Sequence, residues 1–145
     1  MQFKECYQNP FIEERADPYI TLGPDGFYYF TASYPMKSAD DKDGYDRVIL
    51  RRAKDISELA SAEEITIWKV ADTTLTHRFI WAPELHYIAG RWYVFYAGSE
   101  DKENNWAFDC HVLVCDSDDP YTGTWSEKGT VSYTHLRAHE TDQYL

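Results

Sequence analysis

The chain has 145 residues, 25 of them acidic and 14 basic, for a formal net charge of −11. That balance excludes a nucleic-acid partner, whose phosphates call for Lys and Arg, disfavours an anionic membrane surface, and suits a self-repelling, soluble surface. The length allows one domain with a real core, and no apolar run is long enough to span a bilayer.

Aromatic residues make up 17% of the chain, with 12 Tyr and 5 Trp. They suit strands, and flat rings also suit sugar faces. The start, Met1 to Cys6, has no apolar segment of the signal-peptide kind. On that reading the protein is cytoplasmic, unless its true N-terminus lies elsewhere. Cys6, Cys110 and Cys115 are odd in number and lack CxxC spacing, so they read as buried thiols rather than a disulfide or metal set.

In chain order, residues 1–15 are polar and irregular, with a turn at Asn9-Pro10, and suit a lead-in that covers a sheet edge. Asp17-Pro18 precedes a first strand, Tyr19 to Leu22. Gly23-Pro24-Asp25-Gly26 is a turn by composition. Phe27 to Ser33 follows as a strand. It is continuous in aromatics rather than cleanly alternating, which predicts burial on both faces. Pro35 to Asp46 is a charged loop. Its Asp40-Asp41-Lys42-Asp43-Gly44 lacks the spacing and closing glutamate of a calcium-binding EF-hand, and reads as solvated. Arg47 to Ala53 is a third strand. Lys54 to Glu64 allows a helical turn, and Ile65 to Trp68 is an outer strand. The series then restarts: Ile80 to Ile88, Arg91 to Ser99, Cys110 to Asp116, and Thr124 to Ser126.

The restart has a constant spacing. Gly26 and Gly90 are 64 residues apart, as are Tyr29 and Tyr93, Val48-Ile49-Leu50 and Val112-Leu113-Val114, and Asp17 and Trp81, whereas Pro18 and Pro83 are 65 apart. A repeat of four strands predicts an all-β propeller, with blade one near residues 16–70 and blade two near residues 80–131. Propellers close with about four to eight blades, so the chain is expected to continue. Residues 132–145 have no counterpart in the first repeat and read as a non-native tail, similar to a translated cloning adapter. His135 and His139 within it have helical metal-ligand spacing, but no helix pattern surrounds them.

Arg15-Ala16-Asp17-Pro18-Tyr19-Ile20, Phe27-Tyr28-Tyr29-Phe30-Thr31-Ala32-Ser33-Tyr34 and, above all, Ile80-Trp81-Ala82-Pro83-Glu84-Leu85-His86-Tyr87 carry a resemblance. Residues 9–131 resemble the N-terminal part of a glycoside hydrolase family 43 enzyme, most similar to its α-L-arabinofuranosidase branch. The resemblance implies a five-bladed β-propeller, of which two blades are here, acting on arabinose- and xylose-containing glycans with inversion. It implies that Asp17 is the general base, and that the general acid and a carboxylate tuning it lie in later blades. The fragment is therefore expected to be inactive by itself.

Tyr34 and Trp81 match aromatic positions lining the sugar pocket. Glu84 is read as a supporting or rim residue rather than the acid, and His77 as a rim residue. No cofactor is implied. The family's calcium, where present, is held through a later-blade histidine, so no metal ligand is identifiable here. Within the family, β-xylosidase and endo-arabinanase are the competing activities. Outside enzymes, a non-catalytic carbohydrate-binding propeller and a protein-interaction propeller are the alternatives.

Overall fold

The computed structural model describes residues 9–37, 44–72, 76, 78–99 and 107–131. They form eight strands in two four-stranded antiparallel sheets, each a simple meander. The first sheet is β1 (Ala16–Leu22), β2 (Tyr28–Ser33), β3 (Arg47–Ala53) and β4 (Ile65–Lys69). The second is β5 (Arg78–Ile88), β6 (Arg91–Ser99), β7 (Phe108–Cys115) and β8 (Trp125–Val131). The expected helical turn is a 3-10 helix, Ile56–Ala60, capped by the Asp55 side chain, which accepts from the Ser57 amide. The expected tail, 132–145, and the Asp-rich stretch 40–43 lie outside the described residues.

The strands end where the turn chemistry demands it. Ala89 and Gly90 both have positive φ, 49° and 82°. They join Ile88 to Arg91 in a two-residue hairpin, whose backbone twist requires that conformation. In the first sheet the corresponding loop is longer, and Gly26 supplies its positive φ of 75°.

A four-stranded sheet has two faces, and neither can stay wet if it is apolar. Tyr29, Val48 and Leu50 lie on one face of the first sheet. They pack onto Ile80, Leu85, Trp92, Val94, Tyr96, Leu113, Cys115 and Trp125 of the second. The opposite face of the first sheet carries Phe30, Ala32, Ile49 and Ala53. Leu59 of the 3-10 helix and the lead-in residues Phe11 and Ile12 cover it. The lead-in thus covers a face, where the sequence suggested an edge. Residues 29–33 are buried on both sides, as the continuous run of aromatics predicts. By contrast β6 alternates cleanly, with Trp92, Val94 and Tyr96 buried and Tyr93, Phe95 and Ala97 half-buried.

The repeat is close but not uniform. β2 and β6 correspond with Tyr29 at Tyr93. In both third strands a bulge falls at equivalent positions, between Val48 and Ile49 and between Val112 and Leu113. Pairing to the second strand, however, slides by two residues. Tyr29 faces Arg52 in the first sheet, whereas Tyr93 faces Val114 in the second. A slip of two keeps every side chain on its own face, whereas a slip of one would turn the core outward.

Polar braces tie the sheets together beyond their apolar contact. Arg52 Nη1 donates to Asp119 Oδ1 at 2.8 Å, and its guanidinium lies 4.4 Å from the centre of the Tyr121 ring. The Trp92 indole donates to the carbonyl of Asp118 at 2.9 Å, and that of Trp125 to Pro120 at 3.1 Å. The 116–124 loop is therefore held by two core tryptophans. Cys115 is buried and its thiol pKa is raised by that burial; Cys110 is half-buried, and both are free. Trp92 is wholly buried at the centre of this seam, edge-on to Tyr29 and Tyr87. Trp92→Ala is expected to cost about 3–5 kcal/mol in urea unfolding. A loss below about 1 kcal/mol, the scale of one ordinary hydrogen bond, would mean the seam does not hold the sheets together.

Candidate functional site

The first strand of each sheet is interrupted by a proline. Proline has no amide hydrogen and cannot take part in a ladder at full register. In β1 the register shifts between Ala16 and Tyr19, so that Asp17 and Pro18 bulge out. In β5 it shifts between Trp81 and Glu84, so that Ala82 and Pro83 bulge out. Asp17 and Ala82 both have positive φ, 50° and 45°. They are structural equivalents. The sequence spacing set Asp17 against Trp81, and the structure corrects this by one residue. Trp81 matches Ala16, and Glu84 matches Tyr19 rather than Asp17. The Pro18–Pro83 spacing, one residue longer than the rest, was the signal for it.

The two bulges meet at Ser33, the last residue of β2, which is wholly buried. Its hydroxyl donates to Asp17 Oδ2 at 2.9 Å and accepts from the Ala82 amide at 2.7 Å. Asp17 itself is exposed. Its carboxylate therefore sits at the seam of the sheets, beside the Trp81–Ala82 peptide. Sequence reading assigned Ser33 no role although it stands within a motif, because its two partners lie in other strands.

Trp81 is half-buried and stacked on Phe108, with ring centres 4.2 Å apart and planes at 22°. Phe79 lies 5.2 Å away and Tyr45 5.7 Å away, the latter edge-on. Tyr45 also accepts the Ile80 amide at its carbonyl, at 2.6 Å, which locks the start of β5 to the first sheet. Phe79, Phe108 and Tyr45 come from three separate segments, and no spacing in the sequence groups them.

Tyr34 is placed differently from a bare stacking platform. The guanidiniums of Arg15 and Arg47 lie 4.3 Å and 4.5 Å from its ring centre. Arg15 is held in turn by Glu64, which also accepts from Arg51 Nε at 3.0 Å. Burial raises the Glu64 pKa, but the hydrogen bonds from both arginines outweigh it and hold the carboxyl below its usual range.

Glu84 is exposed, and its Oε2 is 3.0 Å from His86 Nε2. The other nitrogen of His86 is 3.4 Å from the Tyr19 hydroxyl, a weak contact between the sheets. Burial, and then the charge of Glu84, raise the pKa of Tyr19. Through His86, Glu84 is thus linked to Tyr19 of the first sheet. His77 lies outside the described residues. Among the described residues, no group of three or more His, Cys, Asp or Glu side chains is arranged to hold a metal ion.

A positive φ strains any residue with a β-carbon by about 1–2 kcal/mol. Ala82→Gly is expected to leave stability within about 1 kcal/mol of wild type, since relief of strain offsets the extra chain entropy of glycine. Ala82→Val should destabilise by about 1–3 kcal/mol. Equal losses for both variants in thermal unfolding would contradict the strained bulge.

The profile of the family described as Glycosyl hydrolases family 43 matches residues 7–142. The extracellular exo-alpha-(1->5)-L-arabinofuranosidase of Streptomyces chartreusis is 43% identical over 125 residues, covering 86% of this chain and 35% of that protein. The protein of the same name from Streptomyces avermitilis is 42% identical over 126 residues, covering 87% of this chain and 24% of that protein. Among solved structures, the alpha-L-arabinofuranosidase from Lactobacillus brevis superposes with a TM-score of 0.72 at 40% identity, covering 87% of this chain and 39% of that one. The chain spans about a quarter to a third of the length of the curated relatives it matches.

Proposed function

Because the chain belongs to family 43 of the glycosyl hydrolases, we propose that it supplies the first two blades of an inverting α-L-arabinofuranosidase acting on arabinose-containing glycans. Its two sheets are two blades of the five-bladed β-propeller of that family. Arabinofuranosidase is the name carried by relatives above 40% identity, which favours it over the xylosidase and endo-arabinanase alternatives.

One observation carries the reading for this chain. The exposed carboxylate of Asp17 and the strand bearing Trp81 are joined through a single buried hydroxyl, that of Ser33. An acidic acceptor thus stands beside an aromatic wall at the open seam of two blades. A sugar ring against that wall would present its C–H face to the apolar ring, while its hydroxyls met polar neighbours. Asp17, as general base, takes a proton from the water attacking the anomeric carbon. A second carboxyl group from a later blade protonates the leaving oxygen. In inverting enzymes the two groups stand about 6.5–9.5 Å apart, leaving room for the water.

The roles of the other aromatic and polar residues follow from their surroundings. Trp81, fixed by Phe108, is the stacking wall. Tyr34 has guanidiniums against its ring, so its hydroxyl and edge are what it offers a ligand. Glu84 holds His86 and serves the inner strands. The cytoplasmic expectation is set aside. It rested on the first residues alone, whereas both Streptomyces relatives are named extracellular. A polymeric glycan is also met outside the cell, and we place the protein there.

In the full-length enzyme carrying these blades, Asp17→Asn is expected to lower kcat/KM on an aryl α-L-arabinofuranoside by about 10²–10⁴, the usual worth of a general base. Glycan binding should persist. A variant within threefold of wild-type activity would refute the role of Asp17. A wild type that binds arabinan without hydrolysing it would favour the carbohydrate-binding reading.

A further inference from the structure

We infer that Ser33 is the positioning residue for the proposed base, fixing both the direction of the Asp17 carboxylate and the place of Trp81. This rests on the reading of Asp17 as the base. The argument is one of hydrogen-bond direction. The Ala82 amide can only donate, so Ser33 Oγ must be its acceptor. The hydroxyl has one proton, and with the amide fixed as donor that proton goes to Asp17 Oδ2. Ser33 cannot reverse this sense, because neither the amide nor an ionised carboxylate can exchange its role.

Two consequences follow. First, an exposed aspartate has several side-chain rotamers, and the bond from a wholly buried serine selects one of them. It engages Oδ2. Among the described residues no hydrogen bond engages Oδ1, which leaves that oxygen to receive a proton. Second, the same hydroxyl holds the amide that links Trp81 to Ala82. The base and the aromatic wall are thereby set relative to each other by one atom. Displacing a reacting group by about 1 Å can cost about a hundredfold in rate. The repeat supports a dedicated role. Ala82 is the equivalent of Asp17 in the second sheet, and it has no side chain that needs direction. The residue equivalent to Ser33 in β6 is Ala97, which lacks a hydroxyl.

The test uses the full-length enzyme and a double-mutant cycle. Ser33→Ala is expected to lower kcat about 10–100-fold with KM changed by less than threefold. In an Asp17→Asn background the same change should cost clearly less than in the wild type, because the carboxylate it directs is gone and only the placement of Trp81 is left to lose. Ser33→Cys keeps the volume with a weaker donor, and should fall between serine and alanine. It supplies the same comparison if the alanine variant unfolds, as thermal melts would reveal. Losses that multiply in the double variant would show that Ser33 acts only on the fold and overturn the proposal. So would a Ser33→Ala enzyme within twofold of wild type while Asp17→Asn is inactive. If Asp17→Asn is itself active, the assignment of the base fails, and that result is distinct from either of these.

Discussion

The structure depends on one face meeting another. Tyr29, Val48 and Leu50 have nowhere dry to go within the first sheet, and Trp92, Val94, Tyr96 and Leu113 have nowhere dry to go within the second. Stacking the two sheets removes both sets from water, at roughly 25 cal/mol for each Å² of apolar surface buried. Everything else at the seam follows from that contact. The 116–124 loop is hung from two tryptophan indoles, the Arg52–Asp119 pair spans the gap, and β5 is drawn against β1 and β2. The second sheet leaves Tyr93, Phe95 and Ala97 half-buried, while Tyr87 and Ile88 of β5, like Ile20 and Leu22 of β1, are exposed. Such surfaces suit a fold in which further blades stack on the same pattern.

The site is a by-product of that stacking joined to a local defect. Prolines break the ladder of both first strands, and each break turns a residue outward at positive φ. In the first sheet that residue is an aspartate; in the second it is an alanine. A buried serine between them converts two irregularities into one fixed arrangement. The chemistry proposed for Asp17 therefore draws on neither sheet alone, and the aromatic wall beside it is steadied by residues from three segments.

Much of the fold was legible in the sequence, because turn chemistry and aromatic strands repeat at a nearly constant spacing. Glycine turns, the Tyr29–Tyr93 pair and the third-strand bulges fell at the expected offset. The first strands did not, since, counted between equivalent pairs, the turn after β1 is one residue longer than the turn after β5, and that sets every residue of β1 one further from its counterpart in β5. Only the longer Pro18–Pro83 interval betrayed it. The two-residue slip of the third strands was hidden for a different reason. It preserves the facing of every side chain, so the apolar pattern is the same in either register. Asp17 and Trp81 were visible as parts of motifs. Ser33 lay within a motif but its role did not show there, and Phe108 and Tyr45 lay in none, because each acquires its role from a neighbour distant in the chain; Phe79 stands two residues from Trp81 but outside the motif. Tyr34 shows the converse. Its motif was plain, but the two arginines against its ring come from elsewhere.

The central claim is that the bulged starts of β1 and β5, at the edge of the seam between these two blades, hold the glycan, with residue 17 beneath its anomeric carbon. The most direct measurement is a crystal structure of the full-length Asp17→Asn enzyme with an arabino-oligosaccharide bound. The account predicts a sugar ring against Trp81 and an ordered water between the residue 17 side chain and the anomeric carbon. A glycan bound away from the seam, with residue 17 remote from it, would contradict the account.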